Sequence, residues 1–144
     1  MSNTINELNK LLADYQIYYQ NLRGFHWNIK GQQFFELHVK FEELYNDATM
    51  KIDEIAERIL TLEATPLHSF SDYLAHANLS PVSNISKGEE CVSHIVENLT
   101  YLVTNEKQVK KLAEESDDSA TADQMAAYIE EQEKTLWMYK SWLG

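Results

Sequence analysis

Apolar residues recur every three or four positions through most of this chain, the spacing of helices that bury one face. Ile5, Leu8, Leu11, Leu12, Tyr15, Tyr18, Tyr19 and Leu22 hold that period and predict a helix from about Ile5 to Phe25. Thr4 and Glu7 have the spacing of a capping box at its start. Residues 28–33, with Gly31, read as a turn. Leu37, Phe41, Leu44, Ala48, Ile52, Ile55, Ile59 and Leu62 then keep the period unbroken, predicting a helix from Phe34 to Leu62. That is far longer than the mean helix of about 11–12 residues. The stretch from Pro66 to Pro81 reads as a crossover, with a short helix in SDYLAHA capped by Ser71. Ser86 and Glu89 repeat the capping-box spacing and open a helix that Ile95, Leu99, Leu102, Val109 and Leu112 carry to about Glu115. The acidic run ESDDSATAD reads as a loop, and a last helix is expected from about Thr121 to Trp142.

Two hairpins of long helices joined by a long crossover imply an all-α, ferritin-like four-helix bundle with a short extra helix in the crossover. A simple up-and-down bundle needs no such connection. One domain over residues 1–144 accounts for the whole chain. Only 4 Gly and 2 Pro agree with long unbroken helices. No apolar run approaches the roughly 18 residues of a membrane span, and MSNTINELNK lacks the pattern of a secretory signal. The single Cys91 excludes an intrachain disulfide, so a cytoplasmic location is expected. Lys and Arg number 12 against 23 Asp and Glu, a net charge of −11. Such a surface repels a phosphate backbone and attracts cations.

The chemistry-bearing residues fall within residues 26–58. His26 ends the first predicted helix, and His38 and Glu42 follow one turn apart after the chain reverses. Asp53 and Glu57 form a second i, i+4 pair further along the same helix. His38 and Asp53 are 53 − 38 = 15 positions apart, about 22 Å on a continuous helix at ~1.5 Å per residue. A ligand reaches its ion at only about 2 Å, so both groups can serve one ion only from two subunits. A two-fold axis crossing the helix around Tyr45 to Ala48 would unite them, Ala48 being small enough for close approach. Such an interface is isologous and carries two equivalent sites. Two imidazoles with three carboxylates suit non-haem iron, with positions left open for oxidant. The ordinary di-iron bundle motif, Glu-x-x-His on two helices, is absent. Arg23, Phe35, Thr65, Tyr73 and Cys91 stand three before the five histidines.

HWNIKG, then FxxLH, then DEIAER, together resemble the signature of the Dps family of miniferritins. The resemblance runs over essentially the whole chain, including the crossover and the TLWMYKSWLG ending. It implies a homo-dodecameric shell with ferroxidase centres at its two-fold dimer interfaces. These would oxidise Fe(II), usually with hydrogen peroxide in preference to dioxygen, and store ferric mineral inside. It implies that iron, two ions per site, is held by His26, His38 and Glu42 of one subunit and Asp53 and Glu57 of its partner. Glu42 stands where the family often has Asp. Trp27, beside a ligand, could donate a stray electron. Carboxylates near the start of the last helix line an uptake pore in the family; Asp123 matches that region best, with Asp118 beside it.

Plainer readings exist for each feature. Asp53, Glu54 and Glu57 beside Lys51 and Arg58 are also what a solvated helix face looks like. His68, His76 and His94 have no partner spacing and read as surface or satisfied core histidines; Cys91 reads as a buried small apolar group. ESDDSATAD could be a plain connector with good capping residues. Among functions, iron oxidation and storage against oxidative stress competes with DNA protection by binding. The latter generally uses a Lys-rich tail in such proteins. MSNTINELNK has one lysine, so no DNA binding is expected.

Overall fold

The computed structural model describes residues 2–144 and contains five helices. They are α1 (Ser2–Asn28), α2 (Phe34–Thr61), α3 (Phe70–His76), α4 (Gly88–Glu115) and α5 (Ser119–Leu143). Among the described residues the only β pairing is an isolated bridge between Lys30 and Lys87. α1 packs along α2 and α4 along α5, while α1 also meets α4 and α3. This is the all-α, ferritin-like arrangement of two hairpins and a crossover. Leu8, Leu12, Phe25, Phe41, Ile55, Ile95 and Leu102 are fully buried between the layers, each contributing about 1.5–3 kcal/mol of apolar burial.

Helix ends differ from the sequence expectation where tertiary contacts outweigh local signals. Thr4 is an interior residue of α1, fully buried with its hydroxyl unpartnered, so it forms no capping box. α4 starts at Gly88 rather than Ser86, because the Ser86 carbonyl accepts from Lys30 N–H at 2.9 Å and stays outside the helix. Gly88 also admits close neighbours: a Cβ there would lie 2.9 Å from Leu37. α3 is capped by Ser69, whose hydroxyl accepts from Asp72 N–H at 3.2 Å, not by Ser71. The acidic loop shrinks to residues 116–118, and SATAD is the first turn of α5.

The crossover is strapped to α1 by side chains. Asn9 accepts from Leu67 N–H at 2.9 Å, Asp14 from Asn78 and Leu79 N–H at 2.7 and 2.9 Å, and Asn21 from Val82 N–H at 2.9 Å. Burial pushes the Asp14 carboxyl up, against those backbone hydrogen bonds.

Candidate metal centre

The α1–α2 turn sets the site. Gly31, at φ +116, takes a conformation that a side chain would strain. The reversal brings His26, on the last turn of α1, against His38, near the start of α2. Their rings stack with centroids 3.8 Å apart and planes 9° apart. His26 Nδ1 lies 2.6 Å from the His38 carbonyl, and His38 Nδ1 lies 2.7 Å from the His26 carbonyl. A carbonyl can only accept, so each Nδ1 carries the hydrogen, and each neutral ring keeps its lone pair on Nε2. This is the orientation in which a backbone carbonyl fixes an imidazole for metal ligation. Phe34 stacks on His38 at 4.8 Å, and Tyr45 meets His26 edge-on at 5.3 Å. Glu42 Oε1 is 3.6 Å from His26 Nε2 and is half exposed.

α2 is unbroken from Phe34 to Thr61, so the long separation of His38 from Asp53 is real. Val39, Glu42, Asn46, Thr49, Asp53 and Glu57 are all exposed and form one stripe at helical spacing. Asp53 and Glu57 engage no side-chain hydrogen bond or ion pair among the described residues. Their neighbours do: Glu54 accepts from Tyr128 at 2.7 Å, and Arg58 donates to Thr121 at 2.8 Å and Asp118 at 2.9 Å. Among the described residues no three His, Cys, Asp or Glu side chains of one chain could hold a metal ion together. Ala48 departs from the sequence reading. It is fully buried in the core, so residues on the exposed face such as Asn46 and Thr49 are the ones available where a two-fold axis would cross α2.

Trp27 is 57% exposed, with the Arg23 guanidinium 4.7 Å from its ring. His68 and His76 place Nδ1 2.9 Å from the carbonyls of Pro66 and Asp72, and His94 stacks on Phe25. Cys91 is buried, and burial pushes its thiol up to about 11, which leaves it unreactive. Asp118 caps α5: it accepts from Thr121 N–H at 3.1 Å and from the Thr121 hydroxyl at 2.5 Å, besides pairing with Arg58. Asp123, by contrast, is exposed and has no side-chain partner among the described residues.

The pattern of the sequence missed a buried polar layer. Tyr15 donates a short hydrogen bond to Glu106, which is fully buried; burial pushes the Glu106 carboxyl up to about 8, against the Tyr15 bond. Gln132 reaches the same hydroxyl at 2.6 Å and, with its amide turned over, donates to Glu106. Lys51 belongs to this layer and not to a solvated face. Only 3% exposed, its ammonium lies 2.5 Å from Asp47 and 2.8 Å from Glu131. Burial pulls its pKa down, but the hydrogen bonds to Asp47 and Glu131 outweigh that and hold it raised. The Asp47–Lys51 spacing of i, i+4 was the available signal.

The family model for the ferritin-like domain matches residues 5–144. A DNA protection during starvation (Dps) protein of Porphyromonas gingivalis is 39% identical over 94% of this chain and 85% of its own length. The chain is a Dps-type member of the ferritin-like family. A Dps protein from Vibrio cholerae O1, described as one of a broad superfamily of ferritin-like diiron-carboxylate proteins, superposes with a TM-score of 0.98. It is 47% identical, and the match covers 99% of this chain and 90% of that one. Dps from Staphylococcus aureus superposes at 0.96 with 31% identity, over 100% of this chain and 97% of its own. No helix among the described residues of this Dps-type chain is long and apolar enough to cross a membrane.

Proposed function

We propose that this Dps-type chain is a ferroxidase and iron-storage subunit whose oxidation sites are completed by a second copy. The observation that carries this is the stacked His26–His38 pair, both rings tethered through Nδ1 with Nε2 open. Asp53 and Glu57, unpaired among the described residues, lie about 22 and 28 Å along the same helix from His38. In a two-fold dimer the His26, His38 and Glu42 half of one subunit faces the Asp53 and Glu57 half of the other, giving two sites per dimer. Fe(II) is the substrate. Two ferrous ions each give one electron, and hydrogen peroxide takes both, so no hydroxyl radical is released; dioxygen is the alternative oxidant. Trp27 stands ready to supply a stray electron. Dimers assemble into a cytoplasmic dodecamer that stores ferric mineral, and Asp123 lines the uptake pore.

Mixed assembly tests the shared site. Chains carrying His26→Gly and His38→Gly are refolded at equal ratio with chains carrying Asp53→Asn and Glu57→Gln. Each parent is inactive. A heterodimer has one intact site and one doubly damaged site, so random pairing restores about one quarter of wild-type Fe(II) oxidation. Recovery of no activity in verified heterodimers would rule out sharing.

A second reading, protection of DNA by binding, draws on the names of relatives such as that of Porphyromonas gingivalis. The net charge of −11 weighs against it. Supercoiled plasmid at low salt and neutral pH is expected to migrate unchanged with the assembled protein; stable retardation would restore this reading.

A further inference from the structure

We propose that the gap between α2 and α5 is a binding site for a small, uncharged aromatic carbonyl compound, held by the hydroxyls of Tyr18 and Tyr139. The two helices pack less closely on each other than on their hairpin partners, and a cavity of about 330 Å³ opens between them. Small-molecule sites commonly occupy cavities of about 300–1,000 Å³, and the space between bundle helices is one of their usual places. All four long helices contribute to the wall: Tyr18 from α1, Leu37 and Leu44 from α2, Leu99 from α4, Tyr139 and Trp142 from α5. Tyr18 is 3% exposed and Tyr139 9%. The Tyr139 hydroxyl is buried with no hydrogen-bond partner, and the Tyr18 hydroxyl makes no hydrogen bond among the described residues. A buried hydroxyl left unpaired is costly. Two of them on one cavity wall are the convergent polar groups that orient a ligand in an otherwise apolar pocket.

The chemistry of the ligand follows from which polar groups remain free. Burial pushes both phenols up, so both stay protonated and can donate. A carbonyl oxygen has two lone pairs and can accept from both. The other polar side chains of the wall are engaged: Thr135 donates to the Glu131 carbonyl at 3.1 Å, and Gln132 lies 2.6 Å from the Tyr15 hydroxyl. At the exposed mouth, Lys40 pairs with Glu43, and Asp47 and Glu131 share Lys51. A charged ligand therefore finds no spare counter-charge. An uncharged ring against Leu44, Leu99 and Trp142 gains by burying apolar surface instead. This inference does not depend on the ferroxidase reading, because it uses none of the proposed iron ligands and needs neither iron nor oxidant.

The probe is benzophenone, an uncharged aromatic ketone, and the test is equilibrium dialysis with the intact, full-length protein. Saturable uptake of about one benzophenone per chain is expected, with a dissociation constant on the order of 10–100 µM. Diphenylmethane has the same two rings without the carbonyl and should bind about 5- to 10-fold more weakly. Tyr18→Phe combined with Tyr139→Phe should abolish that preference, and Thr135→Phe, which fills the mouth, should abolish saturable uptake. On irradiation the bound ketone should label Met138 or Leu44, both on the cavity wall, as read by peptide mass spectrometry. Tyr139→Phe alone should melt no lower than wild type, because it removes a hydroxyl that has no partner. Uptake that never saturates overturns the inference. So does equal binding of the hydrocarbon, a ketone preference that survives loss of both hydroxyls, full uptake by Thr135→Phe, or labelling confined to residues outside the cavity. A Tyr139→Phe variant that melts well below wild type also overturns it, since the hydroxyl would then have a partner in the fold.

Discussion

The two faces of α2 carry similar residues and treat them in opposite ways. On the inward face, Asp47 and Lys51 satisfy each other and Glu131, and the ammonium is 3% exposed. On the outward face, Asp53 and Glu57 have no side-chain partner among the described residues, and the histidines near its start keep Nε2 open. Buried charges must be paired, since an uncompensated one costs several kcal/mol. Exposed charges can wait for a ligand because water solvates them at little cost. The contrast teaches where to look for chemistry on a charged helix: at the side chains that folding leaves unemployed.

The sharpest way to break this comparison is to remove the outward imidazoles. His26→Gly with His38→Gly should slow Fe(II) oxidation by about 100-fold or more, while the particle mass by light scattering stays unchanged. Unchanged oxidation rates would dissolve the distinction between the faces.

The inward layer should instead answer in stability. Glu106 ionises near 4.5 when solvated and near 8 in the fold. Between those values the folded chain binds a proton that the unfolded chain has lost, so stability falls as pH rises through the window and is fully present below it. Glu106→Gln, which keeps the bond to Tyr15 without an ionisable group, should flatten this slope. Denaturant unfolding at pH 5.5 and pH 8 should show about 1–2 kcal/mol less pH-dependent loss than wild type. An identical slope would mean that the carboxyl is charged in the fold.

The smallest expected effect is at the start of α5. Asp123→Asn should slow iron uptake into the assembled particle by about two- to five-fold, the loss of one charge's attraction. Oxidation by dissociated dimers should be unaffected. Equal uptake would assign that carboxylate to ordinary surface.

How much of this was legible before the structure follows from the range of each signal. The apolar period of α2 and the His26, His38, Asp53 and Glu57 spacings depend on neighbours in the chain, and they could be read directly. Ala48 could not: its small size suits a helix contact, but only packing shows that it faces the core. Lys51 looked solvated because its partner Glu131 is 80 positions away. Ser86 and Thr4 carried correct capping patterns that a backbone bond to Lys30 and an earlier helix start overrode. Asp118 reads as one more acid in an acidic run until Arg58 is placed beside it.

The mutual tether between the two histidine rings has a consequence for newly made chains. Because each ring is clipped to the other's backbone within one hairpin, half of the proposed centre is finished as soon as that hairpin closes. The other half arrives only when a second copy docks. On the proposed function, reactivity toward ferrous iron would therefore be gated by quaternary structure, and an orphan subunit would stay inert instead of precipitating rust in the open solution.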